Sequence, residues 1–509
     1  MPFVSLGDAR APFTLALDAG TSSVRALAFD ASGYAISGTE EQLPYVIETT
    51  PDGGAEFPAE RLLELSVEAI DGFLRRVGDR ASDIATVGTT SFWHSLMGID
   101  RQGAPLTPVY YWADSRSAPD AADLREQLDA DAVWQTTGCR LHPSYWPAKL
   151  RWLNRTDPTT FQTVARWLSF PEYVLGRICD PDAGAATICM ASGTGLLDVH
   201  AMTWDEALLD ACHIDAGDLS PLVDLGPSGE LNDEFAGRWP ALASAQWFPA
   251  LGDGACANVG SGAIGPSCIA LTVGTSAAMR LILPRPPRTK WDVPDGLWAY
   301  RLDSQRAVLG GALSNGGNLL RWIWNTTGTG PDHAATSSAA ALRPDTTGLT
   351  FLPFLAGERS PSWHDNATGV FAGVTLSTAP EHLIRAGMES VSYRLASIYD
   401  ALAPLANQRH TVVASGGAIL GMPPWLQVTA DVLGHELSAI DPEDETTARG
   451  AALMAAVTAG TMASLDDDVD VTSTATIYSP GRTTFDAYRE GRDRQSRLES
   501  ILVQSGEFV

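Results

Sequence analysis

The sequence predicts two α/β domains facing each other across a cleft, and three observations predict it. A short pattern occurs twice, half a chain apart: residues 14–25 read TLALDAGTSSVR and residues 269–280 read IALTVGTSAAMR. Each copy is an apolar strand-like run, a Gly-Thr-Ser turn and a second apolar run. Strand-rich openings followed by helix and strand recur in both halves. Finally, the segment Gly252-Asp253-Gly254 falls near the middle of the 509 residues, where a hinge between two halves belongs. The expected domains are therefore 1–252 and 253–509.

In chain order, strands are expected at 14–18, 24–29 and 34–38, the last two joined by the turn Asp30-Ala31-Ser32-Gly33. Leu63, Val67, Ile70, Leu74 and Val77 then recur at helical spacing. A strand at 84–88, a polar and aromatic loop at 89–95 and a strand at 96–99 follow, before a mostly helical stretch over 118–176. The second half opens with strands at 268–273 and 277–283, with further strands at 297–302 and 306–309. Ile384, Met388, Val391, Leu395, Ile398 and Leu402 mark a buried helix over 381–403. TVVAS (411–415) reads as a strand, Gly416-Gly417 as a tight turn, and 423–434 and 446–460 as helices. The Pro-rich stretch 284–294 and the Gly/Ser/Thr-rich stretch 326–347 read as surface loops. The acidic run SLDDDVD (464–470) reads as a solvated face.

Composition narrows the function. Hydrophobic content of 45% is that of a globular protein with substantial cores. The 34 basic and 61 acidic residues leave a net charge of −27, which repels nucleic acid and anionic membranes. The only lysines are Lys149 and Lys290, and neither follows a glycine, so no Walker A loop exists. The protein-kinase lysine and H-R-D motifs are missing too. Six cysteines show no C-x-x-C and no metal-ligand spacing, which fits isolated thiols in a reducing compartment. No signal peptide and no apolar run of spanning length is visible, so a cytoplasmic protein is expected.

A Gly-Thr-Ser turn between two strands offers backbone N–H groups and hydroxyls with no bulky side chain, which suits phosphate oxygens. Alone it is ordinary hairpin punctuation. Two copies in matching contexts suggest halves that grip one polyphosphate from both sides. Asp253, at the hinge, would then reach an acceptor hydroxyl in the cleft.

On these residues the chain resembles the FGGY carbohydrate kinases, within the sugar kinase, actin and heat-shock ATPase superfamily. DAGTSSVR (18–25) is similar to the first phosphate motif, GDGACANVG (252–260) to the segment with the catalytic aspartate, TVGTS (272–276) to the second phosphate motif and SGGAI (415–419) to the adenosine motif. SYWPAKLRWLNR (144–155) and GVFAGV with HLIRAGME (369–389) resemble the two family signatures. Trp146 and Gly387 depart from the residues usual there. The resemblance implies two duplicated ribonuclease H-like domains, with sugar binding and the first phosphate motif in the first and nucleotide binding in the second.

It also implies roles. Gly20, Thr21, Ser22, Ser23 and Arg25 would hold the β- and γ-phosphates of ATP, with Gly274 and Thr275 meeting them from the other domain. Gly316, Gly317, Gly416 and Gly417 would let backbone approach the nucleotide, and Gly421 stands where some relatives place an adenine contact. Asp18 would orient Mg²⁺ through water. Asp253 would act as general base and face the metal as well as the substrate. Relatives are often dimers, so a homodimer is an expectation.

Acceptor contacts are expected from the first half, where Trp93, His94, Trp112, Asp114 and Arg116 combine flat apolar surface with polar ends. Phrases such as LSNGGNLLRW, FLPFLAGERSP and MASGTGLLDVH look most like gluconokinases, which implies D-gluconate as acceptor, with Arg116 either pairing with its carboxylate or equally orienting Asp114. Xylulose is second and another open-chain polyol or ketose third. An actin-like or heat-shock-like scaffold ATPase would share the doubled fold but lack the acceptor loops.

Overall fold

The structure, a computed structural model, describes residues 3–179, 184–227, 229–441, 445–465, 475–481 and 483–506. Most of the acidic run at 464–470 lies outside the described residues.

The duplication in the sequence is a duplication of topology. In the first half, the strand Phe13–Ala19 runs antiparallel to Ser23–Phe29 and parallel to Ile84–Ser91. In the second, Cys268–Val273 runs antiparallel to Ala277–Pro284 and parallel to Thr411–Ser415. Every residue of Phe13–Ala19 is buried, as a strand inside a covered sheet must be. Ile84–Ser91 runs on through three residues expected to be loop. Its last turn of chain pairs with Leu251–Gly252, which brings Ser91 beside Gly252.

The helix Ala59–Val77 buries Leu62, Ile70, Phe73 and Val77 and stops at Gly78, whose φ of +59° suits glycine. The long helix Pro380–Leu402 buries all six residues of its predicted stripe. It also buries Arg385, Glu389 and Arg394 on other faces, where ion pairs hold them. The stretch 326–347 is not all loop, because Ala334–Ala341 forms a helix that packs onto Pro380–Leu402. Gly387, unusual in the signature, is explained there: a Cβ on it would stand 2.7 Å from Ile323 of the crossing helix Gly317–Thr327. Trp146 is buried and its indole N–H donates to Ser95 O at 3.0 Å.

Two helices join the halves. Asp253–Gly260 crosses Thr446–Thr458, and the latter also packs on Phe13–Ala19 and Ile84–Ser91 of the first sheet. The crossing is backbone to backbone. A Cβ on Gly450 would lie 1.9 Å from Cys256 O, and one on Gly260 would lie 1.8 Å from Thr446 O. The Gly-rich sequence around Asp253 is thus a packing requirement as well as a chemical one.

Candidate active site

The two Gly-Thr-Ser turns are tight. Gly20 N–H donates to Ser23 O at 3.0 Å, and Gly274 N–H donates to Ser276 O at 2.9 Å. In the second turn, Gly274 O accepts from Gly317 N at 2.8 Å and Thr275 O accepts from Gly316 N at 3.1 Å. Gly416, with φ of +96°, lies so close that a Cβ would stand 2.6 Å from Val273 O. A Cβ on Gly317 would meet Ala418 Cβ at 2.5 Å. Gly274, Gly316, Gly317, Gly416 and Gly417, far apart in sequence, therefore gather at one corner of the second domain. Gly421 caps the short helix Gly417–Leu420 beside them. Thr21 is half-buried while Ser22 and Thr275 are exposed, so the tips of both turns present hydroxyls. Ser23 accepts instead from Gln42 Nε2 at 3.0 Å.

Strand register sets Asp18 opposite Arg25. The Arg25 guanidinium donates to Glu40 at 2.8 Å and to Glu445, with Asp18 Oδ2 at 4.0 Å. Its charge is compensated by carboxylates, which departs from the expectation of a cation reserved for phosphate. Burial pushes the Asp18 carboxyl up to about 7; Arg25 opposes this, while Asp253 and Glu445 add to it. Its Oδ1 is buried and has no hydrogen-bond partner.

Between the turns lies a cavity of about 140 Å³ lined by residues of both halves. Asp253 opens it, at the start of its helix, with Oδ1 accepting from Gly254 N at 2.7 Å. Burial raises the Asp253 carboxyl above its ordinary value, with the nearby Arg280 opposing. Thr21, Trp93, His94 and Trp112 line the first-half wall.

Trp93 occupies a slot cut by glycines. A Cβ on Gly252 would stand 1.9 Å from its Cε2, one on Gly193 2.5 Å from its Cδ1 and one on Gly254 2.7 Å from its Cζ3. Its indole N–H donates to Cys189 O at 3.1 Å. The glycines flanking Asp253 thus make room for the indole, while the Trp93 backbone N–H donates to the Asp253 carboxylate. His94 has φ of +70° and its Nδ1 contacts Gly193 O. A carbonyl only accepts, so Nδ1 carries the proton and Nε2 is left as acceptor. Burial pushes the imidazole down to about 3, which keeps it neutral.

Asp114 and Arg116 are a correction. They do not line the cavity. Asp114 is buried, accepts from Ala55 N at 3.0 Å and pairs with Arg116. Arg116 also pairs with Glu56 and stacks over Trp152 at 4.5 Å, so both groups are satisfied inside the first domain. The second correction is that the cavity is walled by residues of both halves, not of the first alone. Arg280, Trp298, Tyr300 and Arg359 supply the opposite wall. The signal for Arg280 was present, since it ends the second copy of the repeated pattern as Arg25 ends the first. Arg359 lies in the phrase FLPFLAGERSP. Trp298 and Tyr300 sit on an ordinary apolar strand with no local signature.

Two domains of one topology, each with a hydroxyl-tipped turn, meet over a small polar cavity with a carboxylate at its end. This fold and site define a phosphotransferase that acts on an alcohol group. The family models agree along the chain: the N-terminal domain of the FGGY family of carbohydrate kinases matches residues 13–260 and its C-terminal domain matches 269–459. The chain belongs to the FGGY family of carbohydrate kinases, and so to a family of ATP-dependent sugar kinases.

Among relatives, the chain is 28% identical over 493 residues to a gluconokinase of Bacillus subtilis (strain 168), covering 94% of this chain and 93% of that one. It is 27% identical over 496 residues to a xylulose kinase of Escherichia coli (strain K12), covering 96% and 99%. The crystal structure of a gluconate kinase from Lactobacillus acidophilus superimposes with a TM-score of 0.87 at 24% identity, over 98% of this chain and 99% of that one. That last likeness shows the duplicated fold.

Proposed function

We propose that the protein transfers the γ-phosphoryl group of ATP to a terminal hydroxyl of an open-chain sugar acid, with D-gluconate giving 6-phosphogluconate as the leading reaction. One observation carries this: Asp253 faces a cavity shared by Thr21 of the first turn and Ser276 of the second. In the reaction the acceptor O–H loses its proton to Asp253 as its oxygen bonds to the γ-phosphorus. The bond from that phosphorus to the β–γ bridging oxygen breaks, and ADP leaves. Positioning dominates such a step, and the base adds about 10²–10⁴-fold. His94 Nε2 is suited to accept from a second hydroxyl, and Trp93 and Trp112 offer faces for C–H groups. Closing the two domains over this volume keeps water from taking the phosphoryl group.

The residues fit a divalent cation. Asp18 Oδ1 is a buried oxygen without a partner, and the Asp18 and Asp253 carboxylates lie close enough to influence each other. Among the described residues there is no cluster of three or more His, Cys, Asp or Glu for a metal. Mg²⁺ held by Asp18 and Asp253 would thus rely on water and phosphate oxygens for the rest of its shell. When bound it would neutralise charge on the phosphates. We also place the domain boundary at 252/253, where the strand Leu251–Gly252 of the first sheet gives way to the joining helix.

The xylulose kinase relative supports D-xylulose as the second acceptor. A coupled assay of ADP release across gluconate, xylulose, ribulose, rhamnulose and glycerol separates these. Turnover that ignores every acceptor would instead favour a scaffold ATPase.

A further inference from the structure

The acceptor cavity is positive inside a strongly acidic protein. Its charged lining groups are Asp253, Arg280 and Arg359, with His94 neutral. Arg280 lies beside Asp253, on which its positive charge acts, and a Cβ on Gly254 would stand 2.8 Å from its Nε. Arg359 acts on the same carboxylate more weakly. Among the described residues no carboxylate comes within 4.0 Å of its guanidinium, and its Nε is buried without a hydrogen-bond partner. A guanidinium in a small cavity, unpaired and partly desolvated, is costly unless an anion completes it.

Arg359 is also held ready. Its guanidinium lies over the Trp112 ring, 4.8 Å from the centroid, a stack that leaves the N–H edge open for a planar anion. Its backbone neighbours are pinned. Glu358 takes both nitrogens of the Arg394 fork at 2.6 Å, and Ser360 N–H donates to Ala312 O at 3.1 Å. Trp112, His94, Tyr145 and Tyr300 lie near it, as do the charged Asp253 and Arg280 of the same cavity.

Resting on the kinase reading above, we propose that Arg359 selects the acceptor by pairing with a carboxylate at the end remote from the hydroxyl that faces Asp253. The second domain would then read the acid function while the first supplies stacking and hydroxyl contacts. Selection of a sugar acid over a neutral polyol would come from charge, and closure of the cleft would depend on the acceptor bridging both domains.

D-Gluconate and D-glucitol test this, because they differ only in carboxylate against hydroxymethyl at one end. The wild-type protein should prefer gluconate by at least a hundredfold in kcat/KM, undetectable glucitol turnover counting as such. Arg359→Gln should raise the gluconate KM tenfold or more, with kcat changed less than threefold and the KM for ATP unchanged. Arg359→Lys, which keeps the charge, should recover part of the loss. An unchanged gluconate KM, an equal loss for both acceptors, or a raised KM for ATP would overturn the proposal. Should the Gln variant fold poorly, quenching of the cavity tryptophans in the wild type by gluconate and not by glucitol decides instead; equal quenching overturns it. Gluconate-specific quenching without any acceptor-dependent ADP release would sink the kinase reading while leaving charge recognition intact.

Discussion

The hydroxyls of Tyr145 and Tyr300 stand 2.7 Å apart, one from each half of the chain, and both are buried. They stitch the domains together beside the cavity that holds Asp253, which Tyr300 also lines. Tyr300→Phe leaves the Tyr145 hydroxyl with the Cys139 thiol as its remaining side-chain partner and should cost about 0.5–1.5 kcal/mol in denaturant unfolding. The double variant Tyr145→Phe with Tyr300→Phe should recover much of that loss, because neither polar group then remains. A double variant as unstable as the sum of the singles would show that the pair is not coupled.

Asp253→Asn should remove turnover while ATP binding persists, measured by nucleotide titration. Near-normal kcat in that variant takes Asp253 out of the mechanism.

The Asp253 carboxyl is raised by burial and held back by Arg280, which fixes the sign of a pH experiment. In the general-base role proposed for it the carboxyl works ionised, so kcat/KM should fall as pH drops through its raised pKa. Arg280→Met removes the opposing cation and should move that acidic limb to higher pH, whereas Arg280→Lys should leave it nearly in place. A limb that stays still, or moves to lower pH, in the Met variant would refute the coupling.

Gly450→Ala tests the helix crossing. The new Cβ would lie 1.9 Å from Cys256 O, a backbone atom that cannot swing aside. Overpacking of this kind costs about 1–3 kcal/mol. Because the displaced helix begins at Asp253, kcat should fall together with the thermal midpoint; a stable variant with full kcat would show that the crossing does not position the base.

Lys149 gives a stability prediction. Its ammonium donates to Pro143 O at 2.5 Å, yet burial lowers its pKa to about 7, with Asp114 opposing. The unfolded lysine titrates near ~10.4, so between these values the folded chain binds fewer protons than the unfolded one. The destabilising contribution is present in full below about pH 7 and fades as pH rises toward ~10. The stability difference between wild type and Lys149→Met, followed by urea unfolding from pH 7 to 10, should shrink in step.

Much of the fold was legible because it is written locally. The two Gly-Thr-Ser hairpins, the stripe from Ile384 to Leu402 and the strand at 411–415 follow from side-chain periodicity and turn chemistry within a few residues. The helix Ala334–Ala341 escaped because its alanines carry no stripe and its stability comes from packing on Pro380–Leu402. The glycines beside Asp253 were legible as a turn, but their task of admitting Trp93 depends on a turn more than 150 residues away, just past the strand Ile84–Ser91.

By itself the sequence determined the doubled α/β architecture, the two Gly-Thr-Ser turns and the carboxylate between the halves, because each is a short pattern whose meaning survives out of context. Only the tertiary structure decided which arginines line the cavity. Arg116 and Arg359 look alike in sequence, yet Glu56 and Asp114 satisfy the first, while no carboxylate among the described residues lies within 4.0 Å of the second, which faces the cavity over Trp112. Whether a charge is already paired depends on groups that folding brings from distant positions, and no local pattern encodes that.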